Sequence, residues 1–157
     1  MPLRKAVEGD IEAIALLAAQ KRKQYERYQP VFHKEGEKAL ELHTSFLKDS
    51  LSKENTLVWV SESGGHLNGF IIGAIVNAPP VYAPGGKICF VDDFMVENPG
   101  SWGTVGRGLL EKVMEEAKGR GAVLANVVCG PLDQPKRDLL AGTHFQVASE
   151  WHVRNID

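Results

Sequence analysis

Apolar residues recur along this chain with two periods, and the points where the period changes mark its elements. Leu3 to Val7 predicts a short first strand, and Asp10 then stands as N-cap to a helix that gathers Ile11, Ile14, Ala15, Leu17 and Ala18 on one side. Glu37 to Leu51 predicts a second helix, with Ala39, Leu40, Leu42, Phe46 and Leu47 toward the core and charges outside. Thr56 to Ser61 and Leu67 to Ala78 are β-branched, apolar runs joined by Ser63-Gly64-Gly65-His66, a hairpin signal. Ile88 to Val96 is a further strand, stopped by Asn98-Pro99-Gly100. A helix follows with Leu109, Leu110, Val113, Met114 and Ala117 at amphipathic spacing, closed by Gly119 and Gly121. Ala122 to Cys129 predicts a buried strand, Lys136 to Ala141 a short helix, and Phe145 to Val153 a final strand carrying Val147, Trp151 and Val153. The order β-α-α-β-β-β-α-β-α-β predicts a mixed α/β sheet in one domain spanning residues 1–157.

The stretch from Val91 to Ala117 organises the rest. Between its strand and its helix lies Gly103-Thr104-Val105-Gly106-Arg107-Gly108, and each glycine in a helical turn costs roughly 1 kcal/mol relative to alanine. A ligand supplies the reason: a side-chain-free turn exposes backbone N–H groups at the positive end of a helix dipole, a seat for phosphate oxygens. The order of glycines is neither the dinucleotide fingerprint nor a phosphate-binding loop ending in Gly-Lys-Ser/Thr.

Composition narrows the function classes. With 43% hydrophobic and 24% charged residues, the sequence is that of an ordinary globular protein, and a net charge of −2 argues against nucleic acid as partner. No apolar run approaches the ~20 residues of a membrane span, and Met1 to Lys5 lacks the apolar core of a secretory signal, so a cytoplasmic protein is expected. Cys89 and Cys129 sit in apolar runs as buried thiols, and the five histidines show no ligand spacing, so no metal is expected.

Asp92-Asp93-Phe94-Met95-Val96, followed by Gly103-x-x-Gly106-x-Gly108 and Leu109-Leu110, resembles the acetyl-coenzyme A motif of the GNAT superfamily of N-acetyltransferases. Gly103 stands where that motif has Arg or Gln, with Arg107 as a nearby cation, and Leu3 to Ile11 resembles the first strand and helix of the same family. The resemblance implies a GNAT-like, mainly antiparallel central sheet flanked by helices, with acetyl-coenzyme A as co-substrate. It implies that the backbone of Phe94, Met95 and Val96 pairs with the pantetheine arm as an added strand, and that Gly103, Thr104, Val105, Gly106, Arg107 and Gly108 hold the diphosphate. Asp133 falls where the family often has a pantetheine-contacting Asn, Leu140 where it has the Tyr that serves as general acid, and His144 where it has Gly. Tyr25, Tyr28 and Phe32 fall on the connection that lines the acceptor cleft, and a homodimer is a further expectation, with Trp151 near the terminus as its aromatic.

Transfer to an amine requires removing a proton from an ammonium of pKa near ~10.4 and returning one to the thiolate. Asp92 and Asp93 are the acidic residues next to the pantetheine segment, and strand alternation sends them to opposite faces. With Leu140 offering no proton, His144 and Cys129 are the nearest titratable groups for the thiolate, and solvent is the remaining donor. The expected function is transfer of acetyl to a primary amine, a small amine or polyamine before a peptide. The alternatives are a non-catalytic acyl-coenzyme A-binding sensor or assembly module, and a site for another phosphorylated metabolite.

Overall fold

The computed structural model describes residues 2–157. A five-stranded sheet runs in the order β1 (Leu3–Lys5), β2 (Thr56–Ser63), β3 (His66–Val76), β4 (Lys87–Val96), β5 (Ala122–Val127). Neighbours are antiparallel except β4 and β5, which run parallel because helix α3 (Arg107–Gly119) carries the chain back between them.

Both faces of β2 and β3 are covered, which is why they read as nearly unbroken apolar runs, whereas β5, expected as a buried strand, lies at the edge with no buried residue and with Val123 and Leu124 exposed. On one face Leu57, Ile71, Ile75, Val91, Phe94 and Val96 pack against Leu109, Leu110 and Val113 of α3 and against Leu139 of the short helix α4 (Gln134–Gly142). On the other, Val58, Val60, Phe70, Ile72 and Met95 pack against Ile11, Ile14, Leu17 and Ala18 of α1 (Ile11–Tyr28) and Leu47 of α2 (Ala39–Ser52). Each such side chain contributes about 1.5–3 kcal/mol on full burial.

Asp10 departs from its expected role. Its carboxylate makes no cap on α1; it accepts the Val7 N–H at 2.8 Å and both terminal nitrogens of Arg4 at 2.7 and 2.9 Å. The guanidinium-facing position outcompetes the helix N–H groups because two bonds with charge on both partners exceed one with charge on the carboxylate alone.

Two more expectations are corrected. The apolar positions of α2 do not all face the core: Leu47 is buried, while Leu40, Leu42 and Phe46 are about half exposed or more. Leu42 and Phe46 turn away from the Leu47 side, and Leu40 opens on a groove beside Ile11 and Leu16 of α1. Second, no strand forms over 145–153, and Val147 and Trp151 stand 70% and 86% exposed. Period-two patterning there records compatibility with a sheet; no neighbouring strand of this chain pairs with it.

The chain ends α4 instead in a left-handed turn at His144, φ 68°. The N–H of Phe145 bonds the Leu140 carbonyl at 2.9 Å and that of His144 the Ala141 carbonyl at 3.2 Å, the paired bonds of a Schellman C-cap.

Candidate active site

The site begins with one extra residue in β4. Ile72 of β3 faces Asp93 and Gly73 faces Val91, so Asp92 is left as a β-bulge. Alternation would put Val91 and Asp93 on the same face. The bulge separates them: Val91 packs toward α3, while Asp93 reaches the α1–α2 side. Asp92 itself is exposed, and its carbonyl accepts a bond from Lys21 Nζ at 2.7 Å.

At the same level β4 and β5 part. Their pairing runs from Lys87/Ala122 to Val91/Val127 and closes with the Val128 N–H on the Val91 carbonyl at 2.9 Å. Beyond it, Phe94 to Val96 pair only with β3, which leaves every second N–H and C=O on their other edge available to an extended ligand.

On the α1–α2 face, His43 Nε2 lies 2.7 Å from Asp93 Oδ2, and Lys21 Nζ lies 3.7 Å from Asp93 Oδ1. Burial pushes the Asp93 pKa up, but the His43 hydrogen bond and the Lys21 charge outweigh it and hold the carboxyl below its ordinary value. An ionised Asp93 only accepts, so His43 Nε2 donates to it. With Nε2 as the donor, the remaining lone-pair position of the ring is His43 Nδ1, and that atom is buried without a partner. The ring lies stacked against Phe46, centroids 5.8 Å apart.

A second cluster lies across the parting of the strands. The Tyr25 hydroxyl donates to Asp133 Oδ2 at 2.7 Å and accepts the Gly130 N–H at 3.2 Å. Burial first, and the Asp133 carboxylate second, raise the tyrosine pKa above its ordinary value. Lys136, on the first turn of α4, is 1% exposed, with its Nζ 5.3 Å from the Phe94 ring centroid and 5.6 Å from that of Trp102. Burial, joined by the Lys21 charge, lowers its pKa to about 8. Cys129 is a thiol whose pKa burial raises.

The glycine run sits inside a helix, where the sequence suggested a helix start. Winding begins in a 3₁₀ turn at Pro99–Ser101, capped by Asn98 accepting the Gly100 N–H at 2.9 Å, and passes through a π-helical turn, Trp102–Gly106, into α3. A Cβ on Gly106 would lie 2.7 Å from Trp102 Cε3, so this glycine serves close packing against the indole. Gly103 meets nothing within 4 Å, and Gly103, Thr104 and Arg107 are exposed on the outside of the wide turn. Val105 is buried and Gly108 half-buried.

No protein-family model matches the sequence, and no curated protein matches it. Solved structures do. A mutant of the BH1408 protein of Bacillus halodurans superposes with TM-score 0.85 at 16% identity over 99% of both chains. A predicted acetyltransferase of Clostridium acetobutylicum, solved with acetyl-CoA, gives TM-score 0.74 at 22% identity over 98% of this chain and 95% of its own. The aminoglycoside 6'-N-acetyltransferase AAC(6')-IG of Acinetobacter haemolyticus gives 0.74 at 12% identity over 100% of both. The chain has the GNAT-type acetyltransferase fold.

On this GNAT fold, Asp93 is brought together with Lys21 and His43, and Tyr25 with Asp133. Tyr25 is thereby buried and its hydroxyl committed, whereas Tyr28 is half-buried, accepting a bond from Gln24 Nε2 at 2.7 Å. Phe32 is exposed and meets Trp151 edge-on at 5.9 Å. His144 is exposed on the cap of α4. Sequence reasoning missed His43 and Lys136. The signal was present in both cases, since His43 precedes Leu47 by one helical turn and Lys136 precedes Leu139 and Leu140 by three and four residues, polar groups on otherwise apolar stripes. Among the described residues, no three His, Cys, Asp or Glu side chains gather as a metal ion would need, and no helix is long and apolar enough to cross a membrane.

Proposed function

We propose that this protein transfers an acetyl group from acetyl-coenzyme A to a small primary amine. The carrying observation is the Asp93–His43 pair beside the half-free edge of β4, which sets a proton acceptor next to a backbone ready to bind an extended amide chain. That edge fits the pantetheine arm, whose two amides match the alternating groups of Phe94 and Val96. The exposed Gly103 and Thr104, with Arg107 on the next turn, suit the diphosphate.

The acceptor arrives as an ammonium, which the exposed Asp92 carboxylate attracts at the mouth of the site. His43 Nδ1 takes its proton, and Asp93 balances the imidazolium that forms. The free amine then attacks the carbonyl carbon of the thioester. The structural likeness to an aminoglycoside acetyltransferase and to an acetyltransferase solved with acetyl-CoA supports the donor and the small-amine class. A homodimer covering the exposed Trp151 belongs to the same reading.

The test is thiol release from acetyl-coenzyme A in the presence of spermidine, putrescine, kanamycin and a short peptide. Amine-dependent release supports the proposal, with the peptide alone active favouring a peptide acetyltransferase. Tight binding of acetyl-coenzyme A with no acceptor-dependent release would replace the enzyme with an acyl-coenzyme A-binding module.

A further inference from the structure

Lys136 is the one lysine among the buried residues, and its ammonium has no hydrogen-bond partner. Burying an unpaired charge costs several kcal/mol, where a methionine of similar length would cost none of it. The charges that act on it do not remove that penalty. From α1 comes Lys21, a like charge; from β4 comes Asp92; from the segment between β5 and α4 come Cys129 and Asp133, the latter already bound by the Tyr25 hydroxyl. The rings of Phe94 and Trp102 lie beside it, 5.3 and 5.6 Å from Nζ to their centroids.

Two placements give the position chemical meaning. Phe94 belongs to the free edge of β4, so Nζ lies beside the path of an extended ligand along that edge. Leu140 follows Lys136 by four residues on α4, so both share one helix face, and Leu140 is where the resemblance implies a proton-donating tyrosine. The lysine offers from one turn earlier what the leucine cannot.

We propose that Lys136 is the proton donor to the departing coenzyme A sulfur, an inference that rests on the acetyl-coenzyme A reading above. The amine nitrogen forms its bond to the carbonyl carbon, and the tetrahedral adduct collapses as the C–S bond breaks with its electron pair on sulfur. The Lys136 ammonium then passes a proton to that thiolate, giving coenzyme A thiol and a neutral lysine that regains its proton from solvent. The adduct nitrogen loses its surplus proton to His43, which has by then released the ammonium's proton to solvent, so from the free amine onward the sum is acetyl-coenzyme A plus amine giving amide plus thiol. A lysine pKa lowered to about 8 lies within about one unit of a thiol's, so the two groups are matched for proton exchange.

The experiment needs no acceptor. Coenzyme A and its desulfo analogue are titrated against wild type and Lys136→Met from pH 6 to 10, with the ultraviolet absorbance of the thiolate reporting the ionisation of the bound thiol and thermal melting reporting the fold. The ammonium should draw the thiol's titration down by a unit or more in the wild type. In the variant it should return to about 8.5, the tenfold or greater preference for coenzyme A over desulfo-coenzyme A at pH 8 should disappear, and affinity for the desulfo compound and melting temperature should be kept or improved. Lys136→Gln repeats the test should the methionine variant melt early. Identical thiol titrations in wild type and both variants overturn the assignment while leaving the coenzyme A site standing. Failure of the wild type to bind either compound overturns the acetyl-coenzyme A reading, and this proposal with it.

Discussion

His43 Nε2 and Asp93 Oδ2 meet at 2.7 Å across fifty residues of sequence, one from a helix and one from the residue just past a bulge. If this pair receives the amine proton, His43→Ala and Asp93→Asn should each lower kcat/KM by about 10²–10⁴-fold. The loss should be greatest at acidic and neutral pH and shrink as pH approaches the amine's own pKa, where free amine no longer needs a base. Equal rates for wild type and both variants across that range would remove the pair from the mechanism.

Stability should fall in acid for a definite reason. The Arg4 hydrogen bonds, opposed by burial, lower the pKa of Asp10. Asp93 and Glu116 are also lowered, burial being outweighed by His43 and Lys21 in one case and by Lys5, Trp59 and Arg120 in the other. Each carboxylate binds its proton less readily folded than unfolded. The stabilisation is therefore fully present above the unfolded values near ~4 and drains away as pH falls through the lower folded values. Melting temperature should drop most steeply below that point, and Asp10→Asn should flatten the slope. An unchanged slope in the variant would show that Asp10 contributes nothing to acid sensitivity.

His144 occupies a left-handed position at φ 68° where a side chain is strained and its imidazole is exposed. His144→Gly should raise stability by about 1 kcal/mol, a melting shift of roughly 2–4 °C for a chain of this size. It should leave catalysis alone. A tenfold loss of kcat with an intact fold would instead restore His144 as the proton donor.

The two glycines of the wide turn should respond in opposite ways. Gly103→Arg enters open space and supplies a cation beside the diphosphate, so the dissociation constant for acetyl-coenzyme A should fall several-fold, more so at low salt. Gly106→Val drives a branched side chain into the Trp102 ring, so it should destabilise by about 1–3 kcal/mol with or without ligand. Calorimetry on the first and melting on the second decide these, and unaltered affinity in Gly103→Arg would move the diphosphate elsewhere.

Trp151, at 86% exposed, is the residue a second copy would cover. Sedimentation of the wild type as a dimer at micromolar concentration, with Trp151→Ser shifted toward monomer, is the expected outcome. A monomer in both ends the dimer reading.

The legible part of the fold was the part written in period. Strands buried on both faces and the Leu109–Leu110–Val113 stripe of α3 announce themselves because solvent exclusion demands apolar residues at fixed spacing. The same logic misread 145–153, since alternation states what a segment tolerates and is silent about whether a neighbour exists. It misread Gly106 too, since a ligand and an indole both ask for a missing side chain. In the site, Asp93 was visible beside the strand end, but its histidine was not, because the contact depends on a bulge whose only trace in the sequence is one residue too many.

That surplus residue makes β4 resemble a sentence with a single inserted letter. Upstream of Asp92 the strand is read in the frame that packs Val91 against α3; downstream, the frame has slipped by one, and Asp93 and Met95 face the other way. Removing Asp92 would close the ladder into plain alternation: Val91 and Asp93 would become neighbours on opposite faces, and Asp93, Phe94, Met95 and Val96 would keep the faces they now occupy. What its loss would take away is the carbonyl that receives Lys21 Nζ and the exposed carboxylate, while the text on either side would read as before.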